Sequence, residues 1–177
     1  HESLQGTLFT LNLSGETIDV HTPLVGRHNV SNALAAAAVA NHFGIDRKDI
    51  AAGIESLVVV PGRMERVSVG QPFEVFVDYA HTDDALRHAL QSLRKLTSGR
   101  LLCVFGAGGD RDQLKRPKLG QASALADLAI VTSDNPRSED PEQILRDILA
   151  GCTGCPQPPH VDVDRQRAIR WALEQAE

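Results

Sequence analysis

Past residue 61 the sequence keeps one rhythm. Apolar runs near 74–78, 100–105, 128–132 and 160–163 alternate with helical patterns near 83–97, 117–126, 141–150 and 165–176. A helix between two strands returns the chain to the same end of a sheet, so consecutive strands run parallel. The pattern predicts an α/β fold, a mostly parallel sheet with crossover helices. Local signals agree with it. Thr82 stands as a cap before Asp83 and Asp84, and Ala85, Leu86, Ala89, Leu90 and Leu93 share one apolar face behind it. Asp140 and Pro141, with Gln143, mark another helix start, and Ile144, Leu145, Ile148 and Leu149 are the face that helix would bury.

Before residue 61 the pattern is different. Phe9, Leu11 and Leu13 alternate with polar residues, as do Ile18 and Val20, on either side of Ser14-Gly15, which predicts a hairpin. Helical segments at about 29–43 and 47–57 follow, with Gly44 as the stop between them. Val58-Val59-Val60 then meets Pro61-Gly62, a composition break that places a boundary between a unit over 1–60 and another over 61–177.

Ligands of parallel sheets bind beyond the carboxyl ends of the strands, which singles out three loops: 78–81, 106–111 and 133–137. The second holds Gly106, Gly108 and Gly109, but Gly-x-Gly-x-x-Gly would need glycine at 111, where Arg111 stands. Nor does the chain contain the Gly-x-x-x-x-Gly-Lys-Ser/Thr phosphate loop. Arg111, Lys115, Arg116 and Lys118 follow the glycines, either as a solvated face or, for Arg111, as a planar partner for a carboxylate or phosphate. Arg137 ends the next loop under the same logic, so the two arginines suggest a pocket for a small, multiply charged acid. Asp134-Asn135-Pro136-Arg137 is by composition a turn; its polar groups can also accept from an ammonium while Arg137 takes a carboxylate.

Composition narrows the partners. With 18 basic and 23 acidic residues and a net charge of −5, the chain offers no broad attraction to nucleic acid or membrane, so an anion must be bound locally. No apolar run approaches the roughly 18 residues of a membrane span, and the N-terminal residues do not form a signal segment. Three cysteines without a framework fit a reducing compartment, and a cytoplasmic protein is expected. Cys103, inside an apolar run, is read as core; Cys152 and Cys155 have C-x-x-C spacing but lie among prolines, and are read as a surface loop rather than a metal or redox site.

Five segments carry a resemblance. Gly26-Arg27-His28-Asn29-Val30-Ser31-Asn32, Pro61-Gly62-Arg63-Met64-Glu65, Asp78-Tyr79-Ala80-His81-Thr82, Gly108-Gly109-Asp110-Arg111-Asp112 and Asp134-Asn135-Pro136-Arg137 occur in the order found in Mur ligases of the MurE type. Each alone is weak, but together they cover nearly the whole chain, which is similar to the end of that family's central α/β ATPase domain followed by its Rossmann-like C-terminal domain.

The resemblance implies an ATP- and Mg2+-dependent ligase of peptidoglycan synthesis, a monomer that joins meso-diaminopimelate to UDP-MurNAc-L-Ala-D-Glu through an acyl phosphate. It assigns His28, Asn29, Asn32, Arg63, Asp78 and His81 to ATP. Arg111 and the stretch Asp134, Asn135, Pro136 and Arg137 are assigned to diaminopimelate, with no metal ligand among them. The family's phosphate loop and carbamylated lysine would lie upstream of His1 and the last residues of its amino-acid site beyond Glu177, so the chain alone is expected to be inactive. Asn32 as a helix cap and His81 as an ordinary loop histidine are the plain alternatives. For the chain as a whole the alternatives are a folylpolyglutamate- or cyanophycin-type ligase and a non-catalytic nucleotide or amino-acid binding module.

Overall fold

The computed structural model describes residues 1–176. Two compact units divide after Tyr79. In the first, strands β1 (Glu2–Ser3), β2 (Gly6–Leu13) and β3 (Glu16–Thr22) form an antiparallel sheet. The pairing of Leu13 with Glu16 leaves Ser14 and Gly15 as a two-residue turn. Both have positive φ, 53° and 88°, which is the turn geometry whose twist suits a hairpin. Alternation turns Leu11 and Val20 inward, where they pack with Ala37 of helix α1 (Arg27–His42) and with Ile50 and Ala51 of α2 (Arg47–Ser56). Gly44, at φ 76°, ends the first helix, and the Asp46 carboxylate caps the second by accepting from Lys48 N at 2.8 Å.

Helix α1 starts at Arg27, two residues earlier than its periodicity suggests, so Asn32 lies inside the helix and the capping alternative for it fails. After α2, Arg63 N donates to Val60 O at 3.0 Å with Gly62 at φ 67°, closing a Pro-Gly turn into β4 (Glu65–Val67). This strand pairs antiparallel with β5 (Val75–Val77). The strand–helix rhythm predicts segment 74–78 as the first strand of the parallel series. Its backbone groups go to β4 instead, because a short connection brings the two strands back against each other more readily than a crossover does.

The second unit contains the parallel sheet β6 (Leu102–Phe105), β7 (Leu128–Thr132) and β8 (His160–Asp162), in that order. Every residue of the central strand β7 is buried. Its alternate side chains feed two cores, as expected of a sheet covered on both faces. Ala129 and Val131, with Cys103 and Phe105, meet α3 (Asp83–Leu96), α4 (Arg116–Ser123) and α5 (Pro141–Leu149). Leu128 and Ile130 meet Ala168 and Ala172 of α6 (Arg165–Glu174). The predicted caps hold: Thr82 Oγ1 accepts from Ala85 N at 3.2 Å, and Asp140 Oδ1 from Glu142 N at 3.0 Å. The C-x-x-C segment is a surface turn, with Thr153 and Gly154 exposed, but not a loop free of the core as its prolines predict: Cys152 is buried in the same core as Cys103, with Cys155 packed against it. The turn closes the end of α5 through Cys155 N donating to Cys152 O at 3.2 Å.

Candidate functional site

Because β6 and β7 are parallel and in register from Leu102–Leu128 to Phe105–Val131, the loops that follow them leave the same edge of the sheet. They are in direct contact. Gly109 N donates to Asn135 O at 2.8 Å, and Arg137 Nη1 donates to Gly109 O. The glycines are what allow this approach: a Cβ on Gly106 would stand 2.3 Å from Thr132 O, and one on Gly109 would stand 1.9 Å from Pro136 O. The glycine-rich loop thus fits against the neighbouring loop, which explains glycines whose spacing does not match a dinucleotide motif.

Arg111, Asp134, Asn135 and Arg137 are exposed at this edge, with Pro136 half-buried. Glu139 N donates to Pro136 O at 3.0 Å, so the expected turn is present, shifted to 136–139. Asp110 and Arg137 hold φ values of 53° and 50°, a conformation that costs a side-chain-bearing residue roughly 1–2 kcal/mol. Backbone strain of this kind persists where surrounding contacts enforce it. The edge therefore offers two guanidinium groups and two carbonyl-bearing polar side chains from adjoining loops, a combination suited to a small zwitterion carrying an additional carboxylate.

Of the basic cluster at 111–118, Arg116 is neither a solvated residue nor a ligand-facing one. Its side chain is 2% exposed, with Nη2 donating to Glu139 Oε1 at 2.7 Å and Nη1 to Asp147 Oδ2 at 2.9 Å. Glu139 is held below the usual carboxylate range, first by that guanidinium and then by the Asp110 amide, which donates to it at 2.6 Å. The motifs did not single out Glu139 or the inward Arg116. A signal was available for the arginine: Arg116, Leu119, Gly120 and Ser123 lie at i, i+3, i+4 and i+7, and all are buried.

Three of the residues assigned to ATP line one cavity of about 460 Å³ in the first unit. Asn29 and Asn32 reach it from α1 and Arg63 from the Pro-Gly turn, with Leu24, Ala33 and Val60 among its apolar walls. Its volume and its few polar groups on an apolar lining suit a small organic ligand. Asn29 is buried and uses Nδ2 to hold Val25 O at 2.8 Å. His28, one residue earlier, is exposed with its ring against Gly26. Asp78 Oδ2 accepts from Met64 N at 2.9 Å, and Arg63 lies 5.9 Å from the centre of the Tyr79 ring, so the 61–65 and 78–79 segments are joined. His81 belongs to the second unit and is exposed. Among the described residues no group of three or more His, Cys, Asp or Glu side chains is arranged to hold a metal ion.

Comparison with known proteins gives the family. The Mur ligase, glutamate ligase domain matches residues 62–177, and the Mur ligase middle domain matches residues 1–40. A UDP-N-acetylmuramoyl-L-alanyl-D-glutamate–2,6-diaminopimelate ligase from Trichormus variabilis is 49% identical over 175 residues, 97% of this chain and 35% of its own length. The solved structure of a ligase of the same name is 41% identical with a TM-score of 0.65, covering 99% of this chain and 36% of that one. Folylpolyglutamate synthase from Mycobacterium tuberculosis, complexed with ADP, is 29% identical with a TM-score of 0.75, covering 98% and 39%. The chain thus spans about a third of the length of the curated relatives it matches. On a domain match over most of its length, backed by relatives close to half identical, the chain belongs to the Mur ligase family.

Proposed function

We propose that this chain is the C-terminal part of an ATP-dependent ligase that joins meso-diaminopimelate to UDP-MurNAc-L-Ala-D-Glu in the cytoplasm during peptidoglycan synthesis. The boundary between its two family domains lies near Pro61. The observation that carries this reading is the contact between the loops after β6 and β7, which sets Arg111 and Arg137 on one sheet edge in a chain 49% identical to a diaminopimelate ligase.

In the reaction, a substrate carboxylate oxygen attacks the γ-phosphorus of ATP and releases ADP. The amine nitrogen then attacks the acyl carbon, expelling phosphate and losing a proton. Both steps depend on positioning and on neutralising charge more than on covalent help from the protein. Asp134 and Asn135 would accept from an ammonium of the amine substrate. Arg111 and Arg137 would bind its carboxylates; a guanidinium has five N–H donors, and the Arg137 bond to Gly109 uses one. In the first unit Asn29, Asn32 and Arg63 would hold the nucleotide at the cavity they line, and the family likeness assigns His28, Asp78 and His81 to the same ligand. Mg2+ would be bound largely through substrate phosphates, as is usual for this ion.

The test is amine selection by the full-length enzyme, supplied with ATP, Mg2+ and the UDP-muramoyl dipeptide. Diaminopimelate should be used at least tenfold more efficiently than lysine or glutamate. Preference for glutamate would favour a folylpolyglutamate-type ligase, and absence of ADP release with every amine would favour a binding module.

A further inference from the structure

One buried arginine with two acid partners lies behind the exposed edge. From α4, Arg116 reaches Glu139, which follows the 133–137 loop, and Asp147 on α5. Glu139 in turn bonds the other loop, accepting from Asp110 N at 2.6 Å on Oε1 and from Gln113 Nε2 at 3.3 Å on Oε2. Asp110 completes a ring: its Oδ1 accepts from Ser138 Oγ at 2.7 Å. Asp110 immediately precedes Arg111, and Ser138 immediately follows Arg137. Each arginine of the exposed edge is therefore adjacent in sequence to a residue that this ring holds, and both Asp110 and Arg137 have the positive φ that such cross-loop bonds must maintain.

We infer that Arg116 and Glu139 are positioning residues for amine-substrate specificity, acting by fixing the separation and orientation of Arg111 and Arg137. This inference rests on the proposed diaminopimelate reading of the same edge. The chemistry is selective in a way that a general packing role would not be. A carboxylate gripped by two guanidinium groups loses affinity when their spacing drifts, because bidentate bonds tolerate little misalignment. The nucleotide is assigned to residues of the other unit, apart from His81, so the ring should act on the amine alone. Burial of Arg116 anchors the ring, since a guanidinium away from water keeps both acid partners rather than leave its charge unpaired, whereas Asp110, Gln113 and Ser138 are exposed.

The experiment uses the full-length ligase with Glu139→Gln, which keeps shape and an acceptor for Asp110 N but removes the charge facing Arg116, and with Arg116→Lys, which keeps charge but loses the fork. The expected result in both is a KM for diaminopimelate raised about tenfold. KM for ATP should stay within about twofold, with faster hydrogen exchange at the Asp110 and Arg111 amides. If Arg116→Lys proves too unstable to assay, Glu139→Gln alone decides, because its side chain is partly exposed. An unchanged KM for diaminopimelate in a folded Glu139→Gln enzyme, or equal rises for amine and ATP, overturns the inference. Failure of the wild-type enzyme to use diaminopimelate would instead reject the underlying function, which keeps the two outcomes distinct.

Discussion

Replacing Gly109 with alanine sets the packing of the two edge loops against the smallest side chain that can disturb it. The added Cβ would stand 1.9 Å from Pro136 O and 2.6 Å from Pro136 C, both backbone atoms that no rotamer change can move aside. Reaching ordinary contact requires the loops to part by roughly 1.5 Å, which breaks or badly stretches the 2.8 Å bond from Gly109 N to Asn135 O and the Arg137 bond to Gly109 O. A neutral hydrogen bond contributes about 1 kcal/mol net and one from a charged donor about 2 kcal/mol, so the loss is about 3 kcal/mol. Urea unfolding of this chain, followed by circular dichroism, should show that loss as a lower midpoint at unchanged slope. Gly99→Ala is the control, since its Cβ would meet nothing nearer than Thr97 Oγ1 at 3.7 Å, and it should change stability by less than about 0.5 kcal/mol. A Gly109→Ala loss as small as the control's would refute the view that these glycines are there to admit the neighbouring loop.

Other expectations concern thiols, acid and nucleotide. Burial pushes the Cys103 thiol up to about 12 and Cys152 up to about 11, so at pH 8 iodoacetamide should label Cys155 first and the other two only on unfolding; rapid native labelling of Cys103 would contradict its place in the core. Asp127, held low first by Arg94 at 2.6 Å and then by the Leu101 amide, and Glu139, held low first by Arg116, are depressed in the folded state. Their stabilisation is complete above the ordinary carboxylate value of about 4 and is lost as pH falls through their lower folded values. Melting temperature should therefore drop below about pH 4, less steeply in Asp127→Asn, and an identical pH profile in that variant would reject the assignment. Asp78→Ala in the full-length ligase should raise KM for ATP more than KM for diaminopimelate; the reverse order would remove Asp78 from the nucleotide.

What could be read in the sequence was what neighbouring residues dictate. Helices α3 and α5 begin where Thr82 and Asp140 can cap them, and the Ser14-Gly15 hairpin follows from two residues that tolerate positive φ. Pairing across distance was less legible. Val75–Val77 has the composition of a buried parallel strand, yet its partner is β4, and nothing local to the segment distinguishes the two pairings. Cys152 looked exposed because prolines follow it, whereas Gly120 and Gly151 let α4 and the end of α5 pack closely enough to enclose it. At the candidate site the motifs identify the residues facing outward. The Arg116–Glu139 pair behind them joins positions 23 apart, and only the fold brings those together.

The central claim is that Arg137 reads the additional carboxylate that distinguishes diaminopimelate from lysine. It is tested most directly by the ratio of kcat/KM for the two amines in full-length wild-type and Arg137→Ala enzymes. Arg137 is exposed at the edge, and loss of a hydrogen bond to a charged group costs about 1.5–3 kcal/mol, so the variant should use diaminopimelate roughly tenfold less efficiently or worse. Discrimination against lysine should shrink in step, and ATP parameters should stay nearly fixed. Arg137→Lys should restore little, because an ammonium lacks the planar fork. A ratio unchanged by Arg137→Ala would contradict the account and leave this loop as a turn that packs against Gly109.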